Sequence, residues 1–137
     1  MAAFLDDLFR SGLPIRTYLH GDFVVEPLLR AKAEAGYKIA VCIPALDEER
    51  TIGAIVRSIR TSLMEDVDLV DQLVVVDDCS TDGTASTAAR AGATVLRGPG
   101  LGKGQAMRLA RNLRADIVVY LDGDVENFGP HYVTGLL

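Results

Sequence analysis

Asp122 and Asp124 flank a single glycine directly after the apolar run Ile117-Val118-Val119-Tyr120-Leu121. Two carboxylates two positions apart, at the end of a buried strand, can reach one point in space. Such a point gathers negative charge and suits a hard divalent cation, Mg²⁺ or Mn²⁺, taken by oxygen ligands. A cation held there can neutralise a diphosphate. The competing reading is a plain turn, since Asp-Gly is common turn chemistry.

Three further segments carry residues of the same kind. Pro44-Ala45-Leu46-Asp47-Glu48-Glu49 follows an apolar run over 39–43. Asp47 suits a helix N-cap there, and Glu48 and Glu49 suit a first turn, where acids complement the helix dipole. Functionally, the backbone of 44–46 would line a nucleotide edge and Glu48 would reach a sugar hydroxyl. Asp77-Asp78-Cys79-Ser80-Thr81-Asp82-Gly83-Thr84 follows a second apolar run over 73–76. Ser80 or Asp82 can cap the next helix, which leaves Asp77 and Asp78 without a structural task. A carboxylate at a strand end can accept a base N–H, a preference for uracil or guanine. Gly98-Pro99-Gly100-Leu101-Gly102-Lys103-Gly104 follows a short strand over 94–96 and leads into a helix. Glycines admit close backbone approach, and a helix start attracts phosphate. The loop is not a Walker A loop, because Arg97 and Gly104 stand where Gly and Ser/Thr are needed. Nor is it a dinucleotide fingerprint: its glycine spacing differs and it does not follow the first strand.

The elements that must position these residues alternate. Between the apolar strands 39–43, 73–76, 94–96 and 117–121 lie three helical patterns. Ile52, Ile55, Val56, Ile59 and Leu63 form one apolar face; an Ala-rich stretch over 84–91 ends at Gly92; Ala106, Leu109, Ala110 and Leu113 form a third face. Strands that are apolar throughout belong to parallel sheets covered on both faces. The expected fold class is therefore α/β, a mostly parallel sheet flanked by helices, Rossmann-like, with ligands at the C-terminal strand edges. Residues 1–37 read as a helical arm: Phe4, Leu5, Leu8 and Phe9 suit a short amphipathic turn broken by Gly12 and Pro14, and Leu28, Leu29, Ala31 and Ala33 suit a helix stopped at Gly36. Residues 38–137 read as the domain built on these strands, with a new helix over 130–137.

The 137 residues, 49% of them hydrophobic, suffice for one domain with a core. A net charge of −5 argues against a nucleic-acid surface, so any phosphate binding must be local. Cys42 and Cys79 form neither a disulfide framework nor a zinc-site spacing and read as reduced thiols at strand ends. No stretch approaches the roughly 20 apolar residues of a membrane helix, and Asp6 and Asp7 interrupt the early apolar residues. A cytoplasmic protein without membrane or nucleic-acid partners is expected.

Taken together, these residues resemble the nucleotide-sugar-binding half of GT-A glycosyltransferases, family-2-like in pattern. Pro44…Glu48-Glu49 matches the first loop, Val76-Asp77-Asp78-Cys79-Ser80-Thr81-Asp82-Gly83-Thr84 the V-D-D-x-S-x-D-x-T segment, Lys103-Gly104-Gln105-Ala106 the K-G-x-A segment, and Asp122-Gly123-Asp124 the D-x-D metal motif. Within that group, the run from Ile43 to Gly53, the Gly-Lys-Gly loop and Arg16-Thr17-Tyr18…Asp22-Phe23…Leu28-Leu29-Arg30-Ala31-Lys32 resemble the glucosyl-3-phosphoglycerate synthases. The resemblance implies that Pro44, Ala45, Leu46 and Glu48 contact the nucleotide. Asp78 would read the uracil. Gly102 and Lys103 would approach the donor, Asp122 with Gly123 the ribose or sugar, and Asp124 the Mg²⁺ or Mn²⁺, with Asp122 as its companion ligand. It implies transfer of a sugar, glucose in the narrower group and with retention, from a nucleotide-diphospho-sugar donor to a small acceptor, 3-phosphoglycerate. Other family-2 transfers, such as to a polyprenyl phosphate, stay open. That group is more than twice this length, so the catalytic and acceptor residues are expected beyond Leu137. The chain by itself is then expected to bind nucleotide weakly without transfer, with homodimer formation open.

Two other enzyme or signalling classes and a scaffold remain as rivals. In a phosphate-receiver domain the lysine comes after the phospho-accepting Asp, whereas Lys103 precedes Asp122. A haloacid-dehalogenase-type phosphatase uses D-x-D-x-[TV] after its first strand; here Glu126 takes the Thr/Val position and the motif follows the fourth. A non-catalytic nucleotide-binding module is the third.

Overall fold

The structure, a computed structural model, describes residues 24–137. The expected turn around Phe4–Phe9 lies outside the described residues. The chain runs α1 (Val25–Ala35), β1 (Ile39–Ala45), α2 (Glu49–Ile59), β2 (Gln72–Asp77), α3 (Thr84–Ala91), β3 (Thr94–Arg97), α4 (Lys103–Leu109), β4 (Ile117–Tyr120) and α5 (His131–Thr134). All strand pairs are parallel, in the order β3-β2-β1-β4. The α/β parallel layer expected from the apolar runs is the observed fold.

β1 is buried along its whole length because it sits between β2 and β4 with helices on both faces. One face carries the larger core. Ile52, Ile55, Val56 and Ile59 recur at helical spacing on α2, all with zero exposure, and pack with Val41, Ile43, Leu73 and Val75 of the sheet. Each such side chain contributes roughly 1.5–3 kcal/mol of burial. A wider π-type turn, Arg60–Glu65, continues α2 and keeps Leu63 on the same core. The opposite face is thinner: Cys42, Val74, Val76, Ala106 and Ala110 are buried, with Leu96, Leu109, Leu113, Val118 and Tyr120 only partly covered.

Several boundaries and roles differ from the sequence reading. Cys42 lies mid-strand rather than at a strand end. β3, the edge strand, is exposed or half-buried throughout. β1 and β2 run on to Ala45 and Asp77, whereas β4 stops at Tyr120. The last helix is one turn, His131–Thr134, rather than a stretch over 130–137. α4 ends at Leu109 and tightens into a 3-10 turn, Ala110–Asn112.

The N-terminal edge of the sheet is pinned by two acids that precede strands. Asp71 accepts the Ile39 N–H at 2.9 Å and pairs with Lys32 of α1 and with Lys38, both at 2.8 Å. Burial would raise the Asp71 carboxyl, but the Ile39 N–H and the two ammonium groups outweigh it and hold the group down at about 2. Asp116 accepts the Lys38 N–H at 2.8 Å. Val25, Leu28 and Leu29 of α1 pack on the same core as α2, so the helix of the expected arm is joined to the sheet.

Candidate functional site

Four strand ends open onto one side of the layer, and the loops that leave them meet. The loops after β1 and β2 cap each other's helices. The Asp47 carboxylate accepts the N–H groups of Thr81 at 2.7 Å and Asp82 at 3.3 Å, while the Asp47 N–H donates to Ser80 Oγ at 3.0 Å. The Glu48 N–H donates to Thr84 Oγ1 at 2.8 Å and the Glu49 N–H to Asp82 Oδ2 at 3.2 Å. In return, Glu49 Oε2 accepts the Gly83 N–H at 3.0 Å. Each helix start thus has an amide, Glu49 for α2 and Gly83 for α3, served by a carboxylate of the facing loop. This corrects one expectation, since Asp47 does not cap α2. Of the two capping candidates for α3, Ser80 and Asp82, it is Asp82 that serves, accepting the Thr84 N–H at 2.9 Å.

With the two loops locked, their remaining residues border a cleft of about 200 Å³. Pro44, Ala45, Leu46 and Glu48 come from the β1 edge and Asp78 from the β2 edge. Gly102 and Lys103 come from the loop after β3, and Asp122 and Asp124 from the loop after β4. Gly123 lies beneath rather than on the cleft wall. It is buried, a Cβ there would overlap the Glu48 carboxylate, and its carbonyl accepts the Thr51 hydroxyl at 2.6 Å. The structure thus gathers the sequence-predicted residues at one place, with Gly123 supporting from behind. Asp77, by contrast, is buried in β2, with one carboxylate oxygen lacking a hydrogen-bond partner.

The cleft is electrostatically divided. Lys103 forms an ion pair with Asp122, both half-exposed. Glu48 Oε2 is buried without a partner. The Glu48 carboxyl is pushed up to about 7, by burial first and by the negative charge of Asp124 second, with Lys103 opposing. Among the described residues no cluster of three or more His, Cys, Asp or Glu side chains forms a closed metal cage. That donor set still fits Mg²⁺ or Mn²⁺. Hard cations of this size are commonly held by one or two carboxylates, with substrate phosphates and water completing the shell, and Asp122 and Asp124 supply two on the same cleft wall.

Sequence reasoning missed Thr51, whose hydroxyl fixes the Asp122–Asp124 loop through the Gly123 carbonyl. It also missed the use of Thr84 and Ser80 by the facing loop. Both are contacts between residues more than 30 positions apart, and no local pattern announces them.

Residues 40–132 match Glycosyl transferase family 2. The chain belongs to that family. Among curated relatives, the glucosyl-3-phosphoglycerate synthase of Petrotoga mobilis is 35% identical over 132 residues, covering 89% of this chain and 41% of that protein. The enzyme of the same name from Mycolicibacterium paratuberculosis is 44% identical over 114 residues, 77% of this chain and 34% of that protein. Among solved structures, mannosyl-3-phosphoglycerate synthase from Rubrobacter xylanophilus superposes with a TM-score of 0.79 at 38% identity, over 88% of this chain and 42% of that one. Glucosyl-3-phosphoglycerate synthase from Mycobacterium tuberculosis, in complex with Mn²⁺, UDP-glucose and phosphoglyceric acid, gives a TM-score of 0.68 at 35% identity, over 88% and 43% of the two chains. The family 2 chain described here therefore spans about two fifths of the length of these relatives. Among its described residues no helix is long and apolar enough to cross a membrane.

Proposed function

We propose that this chain carries the donor site of a metal-dependent transferase that moves glucose from a nucleoside diphosphate to 3-phosphoglycerate. The observation that carries the reading is the convergence of residues from four separate strand ends on one cleft, with two carboxylates and a lysine at one wall. The names of the relatives and the ligands of the mycobacterial complex support the donor, the acceptor and the metal.

In this reading the backbone of Pro44, Ala45 and Leu46, continuing β1, lines the flat edge of the nucleoside. Glu48 is held over Gly123, with Oε2 buried against that glycine, and borders the cleft where the sugar moiety would lie. Asp78 borders the nucleoside end from the β2 edge, its two oxygens accepting the Gly100 and Gly102 N–H groups rather than standing free for the uracil N–H that the sequence suggested. Asp124, with Asp122, would hold Mg²⁺ or Mn²⁺ against the diphosphate. Such a cation, when bound, acts as a Lewis acid that stabilises the charge developing on the leaving nucleoside diphosphate. Lys103 adds a second positive charge at the same wall and compensates Asp122. Desolvated on its core side and open on the other, the cleft strengthens these interactions relative to bulk water.

Mannose is the second reading of the sugar, favoured by the TM-score of 0.79 to the Rubrobacter mannosyl-3-phosphoglycerate synthase. Calorimetric titration of the chain with UDP-glucose, GDP-glucose and GDP-mannose, each with and without Mn²⁺, tests both readings. Binding that requires Mn²⁺ and favours one donor supports the proposal and names the sugar. Metal-independent binding, or none with any donor, contradicts it.

A further inference from the structure

Three amides of the glycine-rich loop after β3, those of Gly98, Gly100 and Gly102, are turned to β2 and the residue after it rather than to the cleft. The Gly98 N–H donates to the Asp77 carbonyl at 2.8 Å. The Gly100 N–H donates to Asp78 Oδ1 at 2.7 Å, and the Gly102 N–H to Asp78 Oδ2 at 2.8 Å. The Cys79 thiol lies 3.7 Å from the Gly98 carbonyl, within sulfur hydrogen-bond range. Gly100 and Gly102 take φ of +70° and +91°, backbone that turns both amides inward and that other residues adopt only with strain. The Asp78 side chain is buried under the loop, its residue 5% exposed.

Two amides that a phosphate could use are thus already taken by one carboxylate, in charge-assisted hydrogen bonds. Lys103 directly follows Gly102 and is the first residue of α4. Its side chain is half-exposed and forms the ion pair with Asp122. A long lysine with several free torsions reaches a fixed point only if its backbone origin is fixed. In this fold that origin is held by the bond from the preceding residue to Asp78.

We propose that Asp78 is a positioning residue: by clamping the Gly100 and Gly102 amides it aims Lys103 at the diphosphate of the donor. The role rests on the donor-site reading above and deepens it. It also differs from direct base reading, because it acts on the phosphate end of the ligand whatever base the ligand carries.

The test is calorimetry on the chain with two probes, Mg²⁺ plus inorganic pyrophosphate, which has no base, and Mg²⁺ plus UDP-glucose. Asp78→Asn, Lys103→Gln and the double variant are compared with the wild-type chain. Expected is a loss of about tenfold in affinity for both probes on Asp78→Asn, and no further loss when Lys103 is already Gln, since neighbours acting through one another are not additive. Should Asp78→Asn fail to fold, Gly102→Ala loosens the same clamp from the loop side and is expected to show the same pattern. Loss confined to UDP-glucose, unchanged affinity for both probes, or an equal loss that persists in the Lys103→Gln background each overturns the positioning role alone. A wild-type chain that binds neither probe overturns the donor-site reading, and this role falls with it.

Discussion

Replacing Asp71 by Asn should remove a measurable, pH-dependent part of the stability of this fold. The carboxylate ties α1 to the sheet through Lys32, meets Lys38 and accepts the Ile39 N–H. Asn can keep the Ile39 hydrogen bond but neither ion pair. A carboxyl lowered from its ordinary 3.8 to about 2 corresponds, at 1.36 kcal/mol per pH unit, to roughly 2.4 kcal/mol. Lys38 stands largely in solvent, so screening reduces the expected figure to about 1–2 kcal/mol. The sign follows from the lowered value. The folded state holds the proton less tightly than the unfolded chain, so the contribution is complete above pH 3.8 and disappears as the pH falls through about 2. Urea unfolding of both proteins from pH 7 to pH 2 measures it. The gap in unfolding free energy should be about 1–2 kcal/mol near neutrality and should close toward pH 2. Equal stability at pH 7, or a gap that survives at pH 2, would refute the reasoning.

Three further outcomes are expected. Asp47→Ala removes the shared acceptor of the exposed Thr81 and Asp82 amides, which water then serves, and should cost about 0.5–1.5 kcal/mol in urea unfolding. Gly123→Ala sets a methyl group against the Glu48 carboxylate; Mn²⁺-dependent donor affinity should fall about tenfold, with the melting temperature much less affected, because the displaced group lines the cleft rather than the core. Alkylation by iodoacetamide at pH 8, followed by peptide mass mapping, should modify Cys79 and spare Cys42, since Cys79 is exposed whereas Cys42 is buried, with burial pushing its thiol up to about 11.

The layer itself was legible because the strands of a parallel sheet are apolar on both faces, even though β1 runs through Pro44 and β2 takes in Asp77. The cleft was legible for a related reason. In such sheets the C-terminal strand edge is where loops are free to carry polar groups, and the acids stood there in excess of what capping requires. What stayed hidden depends on distance along the chain. Asp47 reads as a cap for its own helix, yet its carboxylate serves amides 34 and 35 positions away. Asp71 and Asp116 resemble the cleft acids in type and differ only in preceding strands rather than following them, which places them at the opposite edge as backbone anchors. Asp78 reads as a free strand-end acid until the loop after β3 folds back and occupies both of its oxygens. The short third strand could not reveal that it forms an exposed edge, because strand order is a property of the sheet and not of any one segment.

The measurement that bears most directly on the account is anomalous diffraction from crystals of the chain grown with MnCl₂ and UDP-glucose. A manganese peak within coordination distance of Asp124 and both phosphates, with the uridine along Pro44–Leu46, is the predicted result. Density for nucleotide elsewhere on the molecule, or manganese absent from the Asp122–Asp124 loop under saturating conditions, would contradict it.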